Sequence, residues 1–251
     1  MKLSVVIPAH NEEGALAETV RALHRRLREA AIEHEILVVN DNSEDRTEDI
    51  LRLLAREVPT LRYLNNPPPS GFGRAVQLGL EGFIGDAVAV YMADSSDSPD
   101  DLVRFFHALR DHDVDCVFGT RFAGGGRTVD YPAPKLLLNR LGNTLIRFLF
   151  RLRYNDVTNA FKLYRRHVIE GLQPLLSRHF NMTVELPLKA IVRGYSYEVV
   201  PNSWTNRKVG ESKLKIKEMG SRYLFIICYC LIEKWLGCGD YAKKPRNLPS
   251  A

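Results

Sequence analysis

The chain has 251 residues, of which 45% are hydrophobic and 26% are charged, enough for one large α/β domain with a C-terminal extension. The net charge of +5 favours an anionic partner, without choosing among a phosphate substrate, nucleic acid and an acidic membrane. The four cysteines form no C-x-x-C pair and have no histidine at metal spacing, which argues against a zinc site and for a reducing compartment.

Strands and helices alternate over the first half of the chain. The first strand begins almost at the N-terminus with no cleavable apolar leader before it, so we expect no secretory signal and a cytoplasmic protein. Apolar residues at helical spacing separate the strands. The predicted strands cover residues 3–7, 35–39, 61–64, 87–92 and 115–119.

This alternation predicts a mostly parallel sheet with helices on both faces. In such sheets, ligands bind at the carboxyl ends of the strands. Three predicted strands end in polar or acidic clusters, at residues 8–12, 40–43 and 94–97. We therefore expect these clusters to meet at one edge of the sheet and to form a ligand site.

The pattern loosens after residue 119. It predicts a glycine loop at 124–126, helices over 134–151 and 183–193, and a strand over 197–201. The apolar segment 223–232 is shorter than the roughly 20 residues that cross a bilayer. It suits either an interfacial helix on an anionic membrane or a terminal helix packed on the domain. Basic residues precede it at Lys213, Lys215, Lys217 and Arg222. We divide the chain into a main domain, 1–217, and a helical extension, 218–251.

The most informative cluster follows the fourth predicted strand and contains Asp94 and Asp97. Mg²⁺ and Mn²⁺ prefer carboxylates together with substrate phosphate oxygens, so two acids at a strand end suit a metal–diphosphate site. The alternative is that both acids cap a helix beginning near Pro99. Asn11 and Ser43, after the first and second strands, are likewise candidate helix caps.

In order and spacing, these motifs resemble those of the family 2 glycosyltransferases of the GT-A fold. The matching segments are VVIPAHNE at 5–12, NDNSEDRT at 40–47 and the acidic cluster at 94–99. Segments 71–75, 119–122, 156–162 and 207–214 narrow the resemblance to the polyprenyl-phosphate branch, typified by dolichol-phosphate mannose synthase. The resemblance covers roughly residues 3–217. It implies a Rossmann-like α/β domain, a GDP- or UDP-sugar donor, Mg²⁺ or Mn²⁺, a polyprenyl phosphate acceptor, and peripheral contact with the cytosolic face of a membrane.

The resemblance also implies residue roles on the donor side. Asp94 and Asp97 would hold the metal that bridges the diphosphate. Five residues would line the nucleotide pocket: Pro8, Ala9, Asn11, Glu12 and Asp41. Three residues would close over the donor diphosphate: Arg207, Ser212 and Lys213. The catalytic set implied by the resemblance is Asp94, Arg121, Asp156 and Arg207.

On the acceptor side, the resemblance implies that Arg121, together with Lys135, receives the phosphate of the lipid. Arginine suits bidentate contact with phosphate. Asp156 lies in a segment that approaches the sugar in this family, so it would orient the acceptor or the sugar.

The metal motif departs from the family pattern. The branch usually carries D-A-D, whereas an ungapped alignment puts Ala93 and Ser95 at the two aspartate positions. Asp97 then matches an auxiliary ligand and Asp94 the small residue between the aspartates. Either Asp94 and Asp97 form a shifted ligand pair, which we favour, or the metal site is weak.

The leading hypothesis is an inverting glycosyltransferase that moves mannose or glucose from a nucleotide sugar to a polyprenyl phosphate. One alternative is a glycosyltransferase with a soluble or glycan acceptor. Another, motivated by the altered metal motif, is a non-catalytic nucleotide-sugar-binding protein. A dinucleotide-dependent oxidoreductase is disfavoured because no G-x-G-x-x-G turn follows the first strand. No nucleic-acid-binding module is recognisable.

Overall fold

The computed structural model describes residues 1–206 and 216–243, with side chains from residue 220 onward in the second range. Nine strands lie in these ranges: β1 Leu3–Ala9, β2 His34–Asn40, β3 Leu61–Asn65, β4 Ala87–Val90, β5 Cys116–Thr120, β6 Arg127–Val129, β7 Lys162–Arg165, β8 Tyr197–Pro201 and β9 Ser203–Thr205. Eight helices accompany them: α1 Leu16–Glu29, α2 Thr47–Glu57, α3 Phe72–Gly82, α4 Pro99–Asp111, α5 Ala133–Phe150, α6 Arg166–Gly171, α7 Met182–Val192 and α8 Ile216–Leu236.

Seven strands form one sheet in the order β3-β2-β1-β4-β7-β5-β8. Within this sheet β7 alone runs antiparallel, to both β4 and β5. The mostly parallel sheet and the positions of its six parallel strands were predicted correctly. We did not predict β7, because its sequence, KLYR, is not the continuous apolar run that marks most of the other strands. β6 and β9 form a separate parallel pair.

Two apolar cores cover the two faces of the sheet, as the buried strands require. One core contains the apolar faces of α1, α2 and α4, with Leu23 and Phe105 among its fully buried residues. The other contains apolar residues of α3, α5, α7 and α8, including Val76 and Ile226. The carboxyl ends of β1, β2 and β4 therefore meet at one edge between two layers of helices.

Two helices begin later than the capping hypothesis required. α1 begins at Leu16 and α2 at Thr47, and neither has a side-chain cap hydrogen bond. The predictions that Asn11 and Ser43 cap these helices are therefore wrong. Both residues have another role, at the ends of β1 and β2.

The C-terminal helix α8 packs on the domain through one side and exposes apolar residues on another. Ile226 and Cys230 are fully buried in the core that also contains α7. Phe225 and Trp235 are exposed. Among residues 1–206 and 216–243, no helix has the length and apolar character needed to span a membrane.

Candidate active site

The acidic loop after β4 is held in place from several directions. The Tyr91 hydroxyl donates to the backbone carbonyl of Asp97, and the Thr205 backbone N–H donates to the Ser96 carbonyl at 3.0 Å. The Thr19 hydroxyl, on α1, lies 2.9 Å from the Ala93 carbonyl oxygen and 2.7 Å from the Ser95 hydroxyl oxygen. Contacts from α1, β4 and β9 therefore fix the loop that contains the two acids.

Both acids of this loop are buried. Asp94 accepts a hydrogen bond from the Ser96 backbone N–H at 3.2 Å. Asp97 is 5% exposed, and its Oδ1 atom has no hydrogen-bond partner among the described residues. A buried carboxylate oxygen without a partner is costly. A bound cation would remove that cost, so the loop is suited to one.

Burial and, second to it, the negative charge of Asp94 raise the pKa of Asp97, the charge of Arg121 opposes the rise, and the net pKa is about 8. Without a cation, the protonated form of Asp97 is therefore favoured at neutral pH. A positive ion between Asp94 and Asp97 would favour the ionised form of both.

The structure rules out the capping interpretation of this cluster. Ser98 is the N-cap of α4, and its hydroxyl accepts a hydrogen bond from the Asp100 backbone N–H at 3.3 Å. The alternative that Asp94 and Asp97 cap this helix is therefore wrong. Both acids lie in the loop that follows β4.

Arg121 and Asp156 form a buried ion pair beside the acidic loop. Arg121 Nε donates to Asp156 Oδ2 at 2.9 Å, and Nη2 donates to Oδ1 at 2.7 Å. The backbone N–H of Arg121 donates to the same carboxylate at 3.0 Å. Although burial alone lowers the pKa of Arg121, Asp156 raises it above its usual value. The guanidinium is thus fixed as a cation, with Nη1 outside the bidentate contact.

Asp41 lies directly after β2 and is buried. Its backbone N–H donates to the Ala9 carbonyl at 2.7 Å, which joins the ends of β2 and β1. Its carboxylate accepts hydrogen bonds from Asn66 Nδ2 at 2.7 Å and from the Gly71 backbone N–H at 2.8 Å. A carboxylate has about four acceptor positions, so capacity for a ligand hydroxyl or amine remains.

The loops after β1 and β2 are joined by reciprocal hydrogen bonds. The Asn11 backbone N–H donates to the Ser43 hydroxyl at 3.0 Å, and the Glu44 backbone N–H donates to Asn11 Oδ1 at 2.8 Å. The Glu12 backbone N–H donates to the Thr47 hydroxyl at 2.9 Å. Asn11 has φ of 51°, a left-handed conformation that asparagine tolerates well. These contacts shape the rim of the predicted nucleotide pocket.

The predicted residues fall into three groups. Pro8, Ala9 and Asp41 form the first group, at the ends of β1 and β2. Lys135 stands outside the groups, in the first turn of α5. Asp94, Asp97, Arg121 and Asp156 form a second, contiguous group in which Arg121 interacts electrostatically with both Asp97 and Asp156. The third group lies outside the described residues: Arg207, Ser212 and Lys213.

Two residues that support these side chains, Asn66 and Lys162, were not predicted from the sequence. Asn66 holds Asp41, and it follows β3 as a further polar residue at a strand end, so the same rule would have found it. Lys162 is fully buried, and its ammonium group donates to the carbonyls of Val157, Asn159 and Thr183. Burial lowers its pKa to about 7. Lys162 ends the matching segment 156–162, but the sequence pattern assigned its side chain no role.

Residues 4–172 match the protein-family model described as glycosyl transferase family 2. The chain is a family 2 glycosyltransferase. This glycosyltransferase is 32% identical over 216 residues to the polyprenol monophosphomannose synthase of Mycolicibacterium smegmatis, with 84% of this chain and 80% of that protein covered. It is 29% identical over 242 residues to the undecaprenyl-phosphate mannosyltransferase of Micrococcus luteus, with 94% and 97% covered. The predicted family is confirmed, and the two names agree with the predicted branch.

Solved structures confirm the predicted GT-A-like fold of this glycosyltransferase. Glucosyl-3-phosphoglycerate synthase from Mycobacterium tuberculosis, in complex with Mn²⁺ and UDP-glucose, aligns with a TM-score of 0.68 at 16% identity, covering 93% of this chain and 78% of that one. S. aureus TarS 1–349, in complex with UDP-GlcNAc, aligns with a TM-score of 0.69 at 19% identity, covering 92% and 67%. At these identities the likeness concerns the fold alone.

Proposed function

We propose that this protein is an inverting glycosyltransferase that moves a hexose, mannose or glucose, from a GDP- or UDP-sugar to a polyprenyl phosphate. The observation that carries the proposal is the contiguous group at the carboxyl end of β4, with two buried acids beside a buried arginine. The names of the two curated relatives agree with this acceptor class. The region from residue 1 to 217 would be the catalytic domain.

The acids suit the donor half of the reaction. Asp94 and Asp97 would hold Mg²⁺ or Mn²⁺, which supplies positive charge for the diphosphate leaving group. The described residues contain no cluster of three or more acidic, histidine or cysteine ligands, so diphosphate oxygens would complete the coordination. The loops around Asn11, Glu12 and Asp41 would hold the nucleoside, and Arg207, Ser212 and Lys213 would close over the diphosphate.

Arg121 suits the acceptor half. Its cation is fixed by Asp156 and lies near Asp97, so a phosphate bound at Nη1 would be close to the donor diphosphate. An acceptor phosphate oxygen would attack the anomeric carbon, and the bond from that carbon to the nucleoside diphosphate would break, leaving its electron pair on the diphosphate. A phosphate is already an anion at neutral pH, so the attack needs no separate base.

Exposed apolar side chains on α5 and α8 would form the surface that contacts a membrane. Large apolar side chains are exposed on α5, among them Leu141 and Phe148, and on α8, among them Phe225 and Trp235. The Lys234 ammonium group donates to the Phe150 carbonyl at 2.9 Å and joins the two helices. Exposed apolar patches of this kind bind partners or membranes, and the net charge of +5 favours anionic lipid. Peripheral binding at the cytosolic face would bring the site to its lipid acceptor.

A panel of nucleotide sugars, tested by thermal shift with and without Mn²⁺, examines the donor half. We expect one GDP- or UDP-sugar to raise the melting temperature more with Mn²⁺ than without it. Asp94→Asn should remove the Mn²⁺-dependent increment, whereas Asp240→Asn, at an exposed acid, should keep it. Equal increments in the wild type and Asp94→Asn would contradict the assignment of Asp94.

Flotation with vesicles that contain phosphatidylglycerol examines the membrane contact. We expect Phe148→Glu to reduce vesicle binding because this side chain is 81% exposed on α5. Leu53→Glu is the matched control: this leucine is 64% exposed on α2, which packs on the opposite face of the sheet. Equal losses in both variants, or none in either, would contradict the assignment of the surface.

A further inference from the structure

The turn that contains Asp156 is attached to α5 by a compact polar network. Asn139 Nδ2 and Asn143 Nδ2 each donate to the Thr158 hydroxyl oxygen at 2.8 Å. The Thr158 backbone N–H donates to Asn143 Oδ1 at 3.2 Å, and Asn143 Nδ2 lies 3.0 Å from Asn139 Oδ1. Thr158 thus binds two consecutive turns of α5, at Asn139 and Asn143, and it does so through both its side chain and its backbone.

A buried asparagine at position 143 lowers the stability of the helix unless its amide is hydrogen-bonded. It is 1% exposed in the middle of an 18-residue helix, and asparagine is a poor helix former that must be hydrogen-bonded when buried. Its neighbours Ile146 and Phe150 on the same helix are buried apolar residues, so an apolar side chain would suit packing at this position. The amide is therefore better explained by what it holds than by stability.

The Asn143 amide holds the turn from Asp156 to Asn159 through Thr158. The Asn159 backbone N–H donates to the Asp156 carbonyl at 3.0 Å and closes the turn, with Thr158 inside it. The sheet side of the turn is held separately, by the Lys162 ammonium group and by the Tyr154 hydroxyl, 2.6 Å from the Asp156 carbonyl oxygen. The network on α5 anchors the opposite side of the same turn.

We propose that Thr158, Asn139 and Asn143 are positioning residues that set Arg121 for the acceptor phosphate, an inference that rests on the proposed function. They act through Asp156, whose carboxylate receives three hydrogen bonds from Arg121. The same helix exposes Leu141 and Phe148 on its outer side. A helix resting on the bilayer would thereby locate the arginine relative to the lipid headgroup.

Steady-state kinetics of Thr158→Val test this role. The variant keeps the shape of the side chain and removes the acceptor of both amides. Loss of binding that is equal in the ground and transition states raises KM and leaves kcat unchanged. We expect the KM for polyprenyl phosphate to rise about fivefold to tenfold, the scale of one or two net hydrogen bonds. The kcat, the donor KM and the rate of donor hydrolysis without acceptor should stay at wild-type values.

Two further variants separate positioning from folding. Thr158→Ser keeps the hydroxyl and should restore the wild-type acceptor KM. Thr60→Val removes a threonine hydroxyl, 3.0 Å from His24 Nδ1, at the opposite edge of the sheet and should leave the acceptor KM unchanged. A wild-type acceptor KM in Thr158→Val, or a fall in kcat alone, would overturn the inference and leave the proposed function intact. A wild-type enzyme that forms no lipid product would overturn both.

Discussion

Replacement of Asp97 by asparagine should change how stability depends on pH. Burial raises the pKa of Asp97 from 3.8 to about 8, so the native state binds a proton that the unfolded chain releases near pH 4. The stability that the native state gains from binding this proton is present in full below pH 3.8 and is lost as pH rises towards 8. Between these values the free energy of unfolding should fall by about 1.4 kcal/mol per pH unit on account of this one group. From pH 5 to pH 7 the loss is about 2 to 3 kcal/mol.

Urea unfolding at pH 5, 6 and 7 without divalent metal measures this effect. Across that range, the unfolding free energy of the wild type should fall relative to that of Asp97→Asn by about 2 to 3 kcal/mol. The variant lacks this fall because asparagine does not titrate. Asp240→Asn should run parallel to the wild type. Mn²⁺ should stabilise the wild type more at pH 8 than at pH 6 and have no such effect on the variant. Parallel curves for Asp97→Asn and the wild type would refute the reasoning.

Three other changes have defined outcomes. Asp156→Asn should lower the free energy of unfolding in urea by about 3 to 5 kcal/mol, because it leaves the buried Arg121 cation without its counter-charge; a loss below about 1 kcal/mol would contradict a buried pair. Arg121→Lys should raise the acceptor KM at least about tenfold, because lysine cannot make the bidentate contact with Asp156 and also reach the phosphate, and an unchanged KM would remove Arg121 from the acceptor site. Gly73→Ala should lower the melting temperature, because its Cβ would lie 2.6 Å from backbone atoms of Arg178 and His179; an unchanged melting temperature would mean that this segment moves freely away from α3.

Much of the fold and the location of the site followed from the sequence, because both depend on local patterns. Buried parallel strands are continuous apolar runs, and polar residues after them mark the carboxyl edge of the sheet. Asp94 and Asp97 were located in this way, as was Asp41. Their environment was not predictable, because the unpartnered oxygen of Asp97 depends on packing from α1 and β9, which are distant in the chain.

The pair between Arg121 and Asp156 shows the limit most clearly. The two residues are 35 positions apart, and no periodicity connects them. Their contact depends on β5 and on the turn before β7, the strand that we did not predict. The choice between capping and metal binding also required coordinates, because Ser98 and Asp97 are neighbours with equal capping potential in the sequence.

Transfer of label from a nucleotide sugar into an organic-extractable product tests the central claim most directly. The assay contains labelled GDP-mannose or UDP-glucose, Mn²⁺, polyprenyl phosphate and either the wild-type protein or Asp94→Asn. We predict label in the organic phase with the wild type and one of the donors, and loss of nearly all of it with Asp94→Asn. Label confined to a water-soluble product would contradict the lipid acceptor and favour a soluble or glycan one. Donor binding with no transfer to any acceptor would contradict the claim that the protein acts as an enzyme on these substrates.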